Sequence, residues 1–198
     1  LLLFVGRVTD EKNAAFLVPV LARVLCRVPD VALLYIGEGH GRAHIERLAL
    51  SAGLSDLAIV SGYMPRSELR FAYAAASVYT FPSKTETLGL STIEAMSSGL
   101  PVVAIGEMGT RTVMRGDNGG FMVRDDQREF ANACIRLLKD PELHAAKSAE
   151  AIAWSKQFSI DVQELAADRF EVVVGGETYE VTLAGDEDLP EATIMPGL

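Results

Sequence analysis

Residues 80–104, TFPSKTETLGLSTIEAMSSGLPVVA, carry the first legible piece of architecture in this chain. They leave a hydrophobic strand, cross a polar loop, enter a helix at a glycine and reach another apolar strand after Gly99-Leu100-Pro101. Two carboxylates, Glu86 and Glu94, stand eight residues apart, with Gly89-Leu90-Ser91 between them at the helix mouth. Ser91-Thr92-Ile93-Glu94 fits a capping box, which gives Glu94 a structural role at the helix start. Glu86 lies in the preceding loop without that role. It either favours the positive end of the helix macrodipole or accepts hydrogen bonds from ligand hydroxyls. In the second case the amides of Gly89, Leu90 and Ser91 are placed to receive phosphate oxygens, and Gly89 lets the backbone approach closely. The spacing specifies no partner acid or water-activating group, so the pair is not an obvious hydrolytic dyad.

Outward from this stretch the same alternation repeats. LLLFVG at 1–6 is a continuous apolar run ending in glycine, the pattern of a strand covered on both faces. Arg7 and Lys12 follow it; as residues alone they read as ordinary surface cations, but at the mouth of the sheet they suit a diphosphate, Arg as a fork and Lys as a point charge. Residues 13–27 carry Phe16, Leu17, Val20, Leu21, Val24 and Leu25 at helical spacing. VALLYIG at 31–37 is a second buried strand, and Gly37-Glu38-Gly39-His40-Gly41 turns the chain into a helix over 43–51. That turn fails the G-x-G-x-x-G pattern at Arg42, so it is a weak mononucleotide loop or a simple turn. LAIVSGY, SVYTFPS, PVVAIG and GFMV supply four more strands, with helices over 67–76, 90–98, 127–139 and 142–157. Hydrophobic strands alternating with helices predict an α/β fold: a doubly wound parallel six-stranded Rossmann-like sheet with helices on both faces. Ligands of such sheets bind beyond the carboxyl ends of the strands, which puts the loops after strands one to five around one mouth.

The chain has 198 residues, is 49% hydrophobic and carries a formal charge of −9. Residues 171–198 hold seven acids and no Lys or Arg, leaving 20 acids against 18 bases in residues 1–170. Acidity belongs to the tail, and no basic stripe exists to follow a nucleic acid backbone. No run approaches a membrane span. Cys26 and Cys134 sit in helical patterns among apolar neighbours, the setting of buried free thiols in a reducing compartment, and no histidine partners them at metal-ligand spacing. The tail alternates on both sides of Gly175-Gly176, a hairpin signal. The expected organisation is a Rossmann-like nucleotide-sugar-binding domain over 1–168 and an acidic tail with a β-hairpin over 169–198. The chain opens directly in a core strand without Met, so a preceding domain is expected.

GRVTDEKN, YIGEGHGR, SGYMP, YAAASVYTFPSKTETLGLSTIEAMSSGLPVVA and GDNGGFMV together resemble the C-terminal, donor-binding domain of the family 4 (group 1) retaining glycosyltransferases, which have the two-domain GT-B fold. The resemblance covers residues 1–158. It implies that the chain binds a nucleoside-diphosphate sugar, UDP- or GDP-linked, with UDP-glucose a representative donor, and that it uses neither metal nor cofactor. It implies donor-binding roles for Gly6, Arg7, Lys12, Tyr63, Met64, Glu86, Gly89, Leu90, Ser91 and Glu94. Among these, Arg7 and Lys12 hold the diphosphate, Glu86 bonds the transferred sugar, Glu94 bonds the ribose, and Tyr63 and Met64 face the base. Arg7, Lys12 and Glu86 are then the residues that carry transfer.

Three departures stand out. Asn13 replaces a frequent glycine and His40 a frequent proline, and GEMGTRTVM at 106–114 replaces a glycine-pair-and-glutamate loop. The acceptor, carbohydrate or lipid, is expected on an absent N-terminal domain, and the wording TETLGL and GDNGGFMV leans towards lipid acceptors. This chain alone is therefore expected to bind donor but to transfer poorly. The expected setting is cytoplasmic, with peripheral association at the inner membrane face and no nucleic acid partner. A non-catalytic Rossmann-like binding module, with the acidic tail as its partner surface, is the competing expectation.

Overall fold

The computed structural model describes residues 1–86, 89–158, 160–166, 169–174, 177–186 and 189–196, with the backbone alone described from 160 onward apart from Thr178. The chain divides into two compact units, Leu1–Trp154 and Ser155–Leu198.

The first unit contains a six-stranded parallel sheet of β1 (Leu2–Val5), β2 (Leu33–Ile36), β3 (Ala58–Gly62), β4 (Val78–Phe81), β5 (Val102–Ile105) and β6 (Gly120–Val123). Helices α1 (Leu17–Leu25), α2 (Arg42–Ser51), α3 (Arg66–Ala75), α4 (Leu90–Ser97) and α5 (Met108–Met114) connect successive strands, and α6 (Gln127–Lys139) and α7 (Pro141–Ser155) follow. Strand order is β3-β2-β1-β4-β5-β6. The chain therefore leaves β1 towards one edge and returns through β4 towards the other. Loops after β1 and β4 diverge, and the crevice between them is where this topology holds ligands.

β1, β4 and β5 are buried along their whole length, as strands covered by helices on both faces must be. β3, at the sheet edge, alternates between buried and exposed positions. An aromatic chain runs through the centre: Phe4 lies 5.7 Å from Tyr35 and 6.3 Å from Phe81, and Tyr79 lies 5.9 Å from Phe81. Each buried phenol has a carbonyl to donate to, Tyr35 to Ala14 at 3.2 Å and Tyr79 to Val5 at 3.1 Å. Burial pushes both phenols far above their ordinary range, so they remain donors at any working pH.

The glycine-rich turn after β2 is a packing device. Gly37 has φ +138, and a Cβ there would sit 2.0 Å from the Gly6 carbonyl oxygen. The ends of the first two strands are joined across this contact: Gly6 N–H donates to Ile36 at 3.0 Å and Val8 N–H to Glu38 at 2.9 Å. Glycine is required because backbone meets backbone there.

Four expectations change. The helix expected over 13–27 begins as a 3-10 turn, Ala14–Phe16, before α1. The segment at 106–114, read as a loop because its glycines weaken any helix signal, forms α5, anchored by buried Val113 and Met114. Cys134 is buried and its thiol is pushed up by burial, but Cys26 is exposed. Cys26 sits just past the last turn of α1, beside exposed Arg27 and off the Val20, Leu21 and Val24 stripe. The fourth change concerns the tail.

The second unit is an antiparallel meander of β7 (Ile160–Ala166), β8 (Arg169–Val174), β9 (Glu177–Asp186) and β10 (Leu189–Pro196), ordered β10-β9-β8-β7. β8 and β9 pair with Val174 opposite Glu177, the hairpin expected around Gly175-Gly176, two residues that lie outside the described ones. The expected boundary between residues 168 and 169 falls inside this unit, because β7 already pairs with β8 from Ile160 opposite Val174. IDVQELA carries no glycine or proline before it and continues a helical segment in sequence, which hides the strand. Pro190 and Pro196 fall on β10, an edge strand, the position in a sheet where proline is tolerated. No described helix is long and apolar enough to cross a membrane.

Gly37→Ala is expected to lower the free energy of unfolding by about 2–4 kcal/mol, from backbone strain and a collision that only backbone movement relieves. Urea denaturation checks this, and an unchanged midpoint contradicts the packing account.

Candidate functional site

The crevice between β1 and β4 is closed at its base by the two loops themselves. Thr85 Oγ1 donates to the Glu11 carbonyl at 3.1 Å, and Asn13 Nδ2 donates to the Pro82 carbonyl at 3.2 Å. Between these contacts Lys12 Nζ donates to Glu86 Oε2 at 2.8 Å, with the two side chains only 14% and 18% exposed. Asn13 holds φ 52, a left-handed conformation that Asn adopts more readily than most residues, so it is a workable substitute for glycine.

The other Glu86 oxygen, Oε1, accepts the Gly89 N–H at 3.2 Å, and the Glu86 carbonyl accepts Gly109 N–H at 2.8 Å. Gly89 is the N-cap of α4 with φ +65, and a Cβ there would lie 3.0 Å from Val113 Cγ2. Glu86 thus bonds the helix mouth, the role that the sequence gives to Glu94. The capping box is not formed: α4 starts at Leu90, so Ser91 is already inside the helix and Glu94 lies in its second turn.

Glu94 instead faces α3. Its Oε1 accepts Arg66 Nη2 at 2.8 Å, and its Oε2 accepts the Tyr73 hydroxyl at 3.1 Å. Tyr73 is 4% exposed. Burial first, then the nearby Tyr79 and the Glu94 charge, drive its phenol far above the ordinary range, so it donates permanently. Arg66 is 87% exposed and Glu94 32%, so that ion pair is a surface one.

Of the residues expected from sequence, the structure brings Lys12, Glu86 and Gly89 into one hydrogen-bonded group. Arg7 stands apart on the rim, exposed and paired with Glu11 at 3.3 Å. Gly6, Arg7, Tyr63 and Met64 line a groove of about 350 Å³ across the ends of β1, β2 and β3. Leu90 is exposed, and the Ser91 carbonyl accepts the Tyr73 hydroxyl at 3.5 Å. Sequence reasoning missed Arg66 and Tyr73. A cation after Pro65 at a helix start was a faint signal for the first, and no local pattern ties Tyr73 to a carboxylate 21 positions later. Among the described residues, no three His, Cys, Asp or Glu side chains converge as metal ligands.

A mostly buried cation, a helix mouth and two held carboxylates gather near the switch point of a doubly wound sheet, where such folds hold ligands. The family description "Glycosyl transferases group 1" matches residues 1–140, and this chain belongs to that family as its C-terminal domain. It is 31% identical over 177 residues to a 2-deoxystreptamine glucosyltransferase of Streptomyces kanamyceticus, covering 88% of this chain and 46% of that protein. The chain spans less than half the length of the first curated relatives it matches. The structure of Anabaena HepE in complex with UDP and glucose aligns with a TM-score of 0.72 at 23% identity, over 79% of this chain and 43% of that one. The C-terminal domain of a group 1 glycosyl transferase from Francisella tularensis aligns with a TM-score of 0.70 at 22% identity, over 77% and 83%.

Lys12 and Glu86 are expected to be coupled by about 1–3 kcal/mol, because removing either strands a partly buried charge. A double-mutant cycle of Lys12→Met and Glu86→Gln under urea denaturation measures this. Additive effects contradict the pairing.

Proposed function

We propose that this chain is the donor-binding half of a retaining hexosyltransferase that uses a UDP- or GDP-linked sugar. In this reading a second domain, preceding Leu1 in the whole protein, holds the carbohydrate or lipid acceptor. The observation that carries it is the Lys12–Glu86–Gly89 group at the mouth of the β1–β4 crevice. The family and the UDP-bound relatives in fold support a nucleotide-sugar donor.

The chemistry follows from charge. Transfer breaks the bond between the sugar C1 and the diphosphate oxygen, and negative charge grows on the leaving diphosphate. Lys12 spends one N–H on Glu86 and keeps two for diphosphate oxygens. Arg7, exposed on the rim, turns from Glu11 to the same oxygens, and the amides at Leu90 and Ser91 face them from the helix mouth. No metal is needed in this scheme, since fixed cations and dipoles do its work. Glu86, oriented by Lys12 and the Gly89 amide, retains lone pairs for sugar hydroxyls. At Glu94 the ribose hydroxyls replace Arg66 on one oxygen while Tyr73 holds the other. Tyr63 and Met64 line the groove expected for the base. The setting is cytoplasmic, with the inner membrane face as the site of a lipid acceptor.

Calorimetric titration with UDP, UDP-glucose, GDP and GDP-mannose tests the reading. One base series is expected to bind saturably. Lys12→Ala, Arg7→Ala and Glu94→Ala should each weaken the free nucleotide about tenfold, the loss of one charge-assisted hydrogen bond. Glu86→Gln should chiefly reduce the preference for the sugar-bearing donor over the bare nucleotide. Equal binding by all four variants, or no binding by the wild-type chain, overturns the site. Sustained transfer to an acceptor by this chain alone overturns the two-domain part.

A further inference from the structure

Helices α1 and α6 pack side by side, with Phe16 5.5 Å from Phe130, and between their outer faces lies a groove of about 490 Å³. Arg23 and Arg27 line it from α1 and its end, and Arg128 and Lys139 from α6. No Asp or Glu is among its lining residues. All four cations are exposed, and none has a carboxylate within ion-pair distance or a side-chain hydrogen bond among the described residues. Elsewhere in this unit Arg7, Lys12, Arg42, Arg66, Lys84, Arg124 and Lys147 all hold a carboxylate. Arg47, Arg70, Arg111, Arg115 and Arg136 likewise have no ion pair among the described residues, but Arg23, Arg27, Arg128 and Lys139 are gathered on one groove, in a chain of net charge −9.

The groove shares no lining residue with the Lys12–Glu86–Gly89 group or with the groove at Gly6, Arg7, Tyr63 and Met64. α1 returns the chain from the carboxyl end of β1 to the amino end of β2, so Arg23 and Arg27, in and after its last turn, lie towards the opposite end of the sheet. Arg128 and Lys139 are three turns apart on α6, roughly 16 Å along its axis. Three guanidinium forks and one ammonium suit an elongated ligand with at least two negative charges, and phosphate groups offer the oxygens that such forks bind in pairs. Ile135 and Ala131 give the floor an apolar strip.

We propose that the α1–α6 groove is a second anion site, which takes a phosphate-bearing polyanion independently of the nucleotide-sugar crevice. The phosphate comes either from a soluble polyphosphate or from the headgroups of an anionic lipid surface.

Cys26 lines the groove and is exposed, while Cys134 is buried, so Cys26 alkylation reports on this site alone. The rate of iodoacetamide labelling of the whole chain is measured with pyrophosphate, with phosphatidylcholine vesicles, and with vesicles that also contain phosphatidylglycerol, at constant ionic strength. Pyrophosphate or the anionic vesicles are expected to slow Cys26 labelling saturably. Arg27→Gln with Arg128→Gln should raise the half-protecting concentration about tenfold. Arg7→Ala, in the donor crevice, should leave protection unchanged. Protection by pyrophosphate alone assigns a soluble ligand, and protection by anionic vesicles alone assigns the headgroup. Absence of protection by either, equal protection by pure phosphatidylcholine, or full protection in the double variant overturns the proposal.

Discussion

The Lys12–Glu86 ion pair is the contact through which the two halves of the sheet acquire a common site. Strand order sends the chain in opposite directions from β1 and β4, and topology alone leaves two loops facing each other across a crevice. A carboxylate and an ammonium that are both more than four-fifths covered are costly to bury apart from each other. Bringing them to 2.8 Å resolves that, and it fixes the loop after β1 against the loop after β4. The flanking bonds from Thr85 and Asn13 then hold the register, and the Glu86 carbonyl ties in Gly109 of α5. One pair thus positions a cation, a carboxylate and a helix mouth together.

The sheet was legible in the sequence because its signal is local and redundant. Each parallel strand is a short apolar run ended by Gly or Pro, and each helix between strands has an apolar stripe or a clear stop. β7 and α5 were not, and for different reasons. IDVQELA alternates apolar and polar residues only over 160–163 and follows a helix without punctuation, so only its pairing with β8 reveals it. MGTRTVM has poor helix propensity, and it is helical because Val113 and Met114 enter the core and Trp154 Nε1 donates to the Val113 carbonyl at 2.7 Å. Tertiary burial overrides propensity there.

The two glutamates illustrate the same limit at finer scale. Their eight-residue spacing brackets the mouth of α4, but their individual partners depend on where that helix begins. The Ser-Thr-Ile-Glu pattern places that start at Ser91, whereas Gly89 in a left-handed conformation places it two residues earlier. This shift takes Glu94 out of capping reach and leaves the Gly89 amide to Glu86. The helix start at the glycine, which the sequence also marks, therefore prevails over the capping-box pattern and gives the helix-mouth amide to Glu86.

Glu94, released from capping, has one fixed and one exchangeable partner. Tyr73 cannot leave or ionise: it is buried, packed 6.1 Å from Tyr79, and its phenol is held protonated. Arg66 is almost fully exposed, and an exposed ion pair contributes only about 0–1 kcal/mol, so its displacement costs little. A ligand hydroxyl that takes the place of Arg66 preserves the hydrogen bond at Oε1 and finds the carboxylate already oriented through Oε2. In the proposed site the ordering cost that usually accompanies recognition by a flexible glutamate would be met in advance, within the fold, by Tyr73.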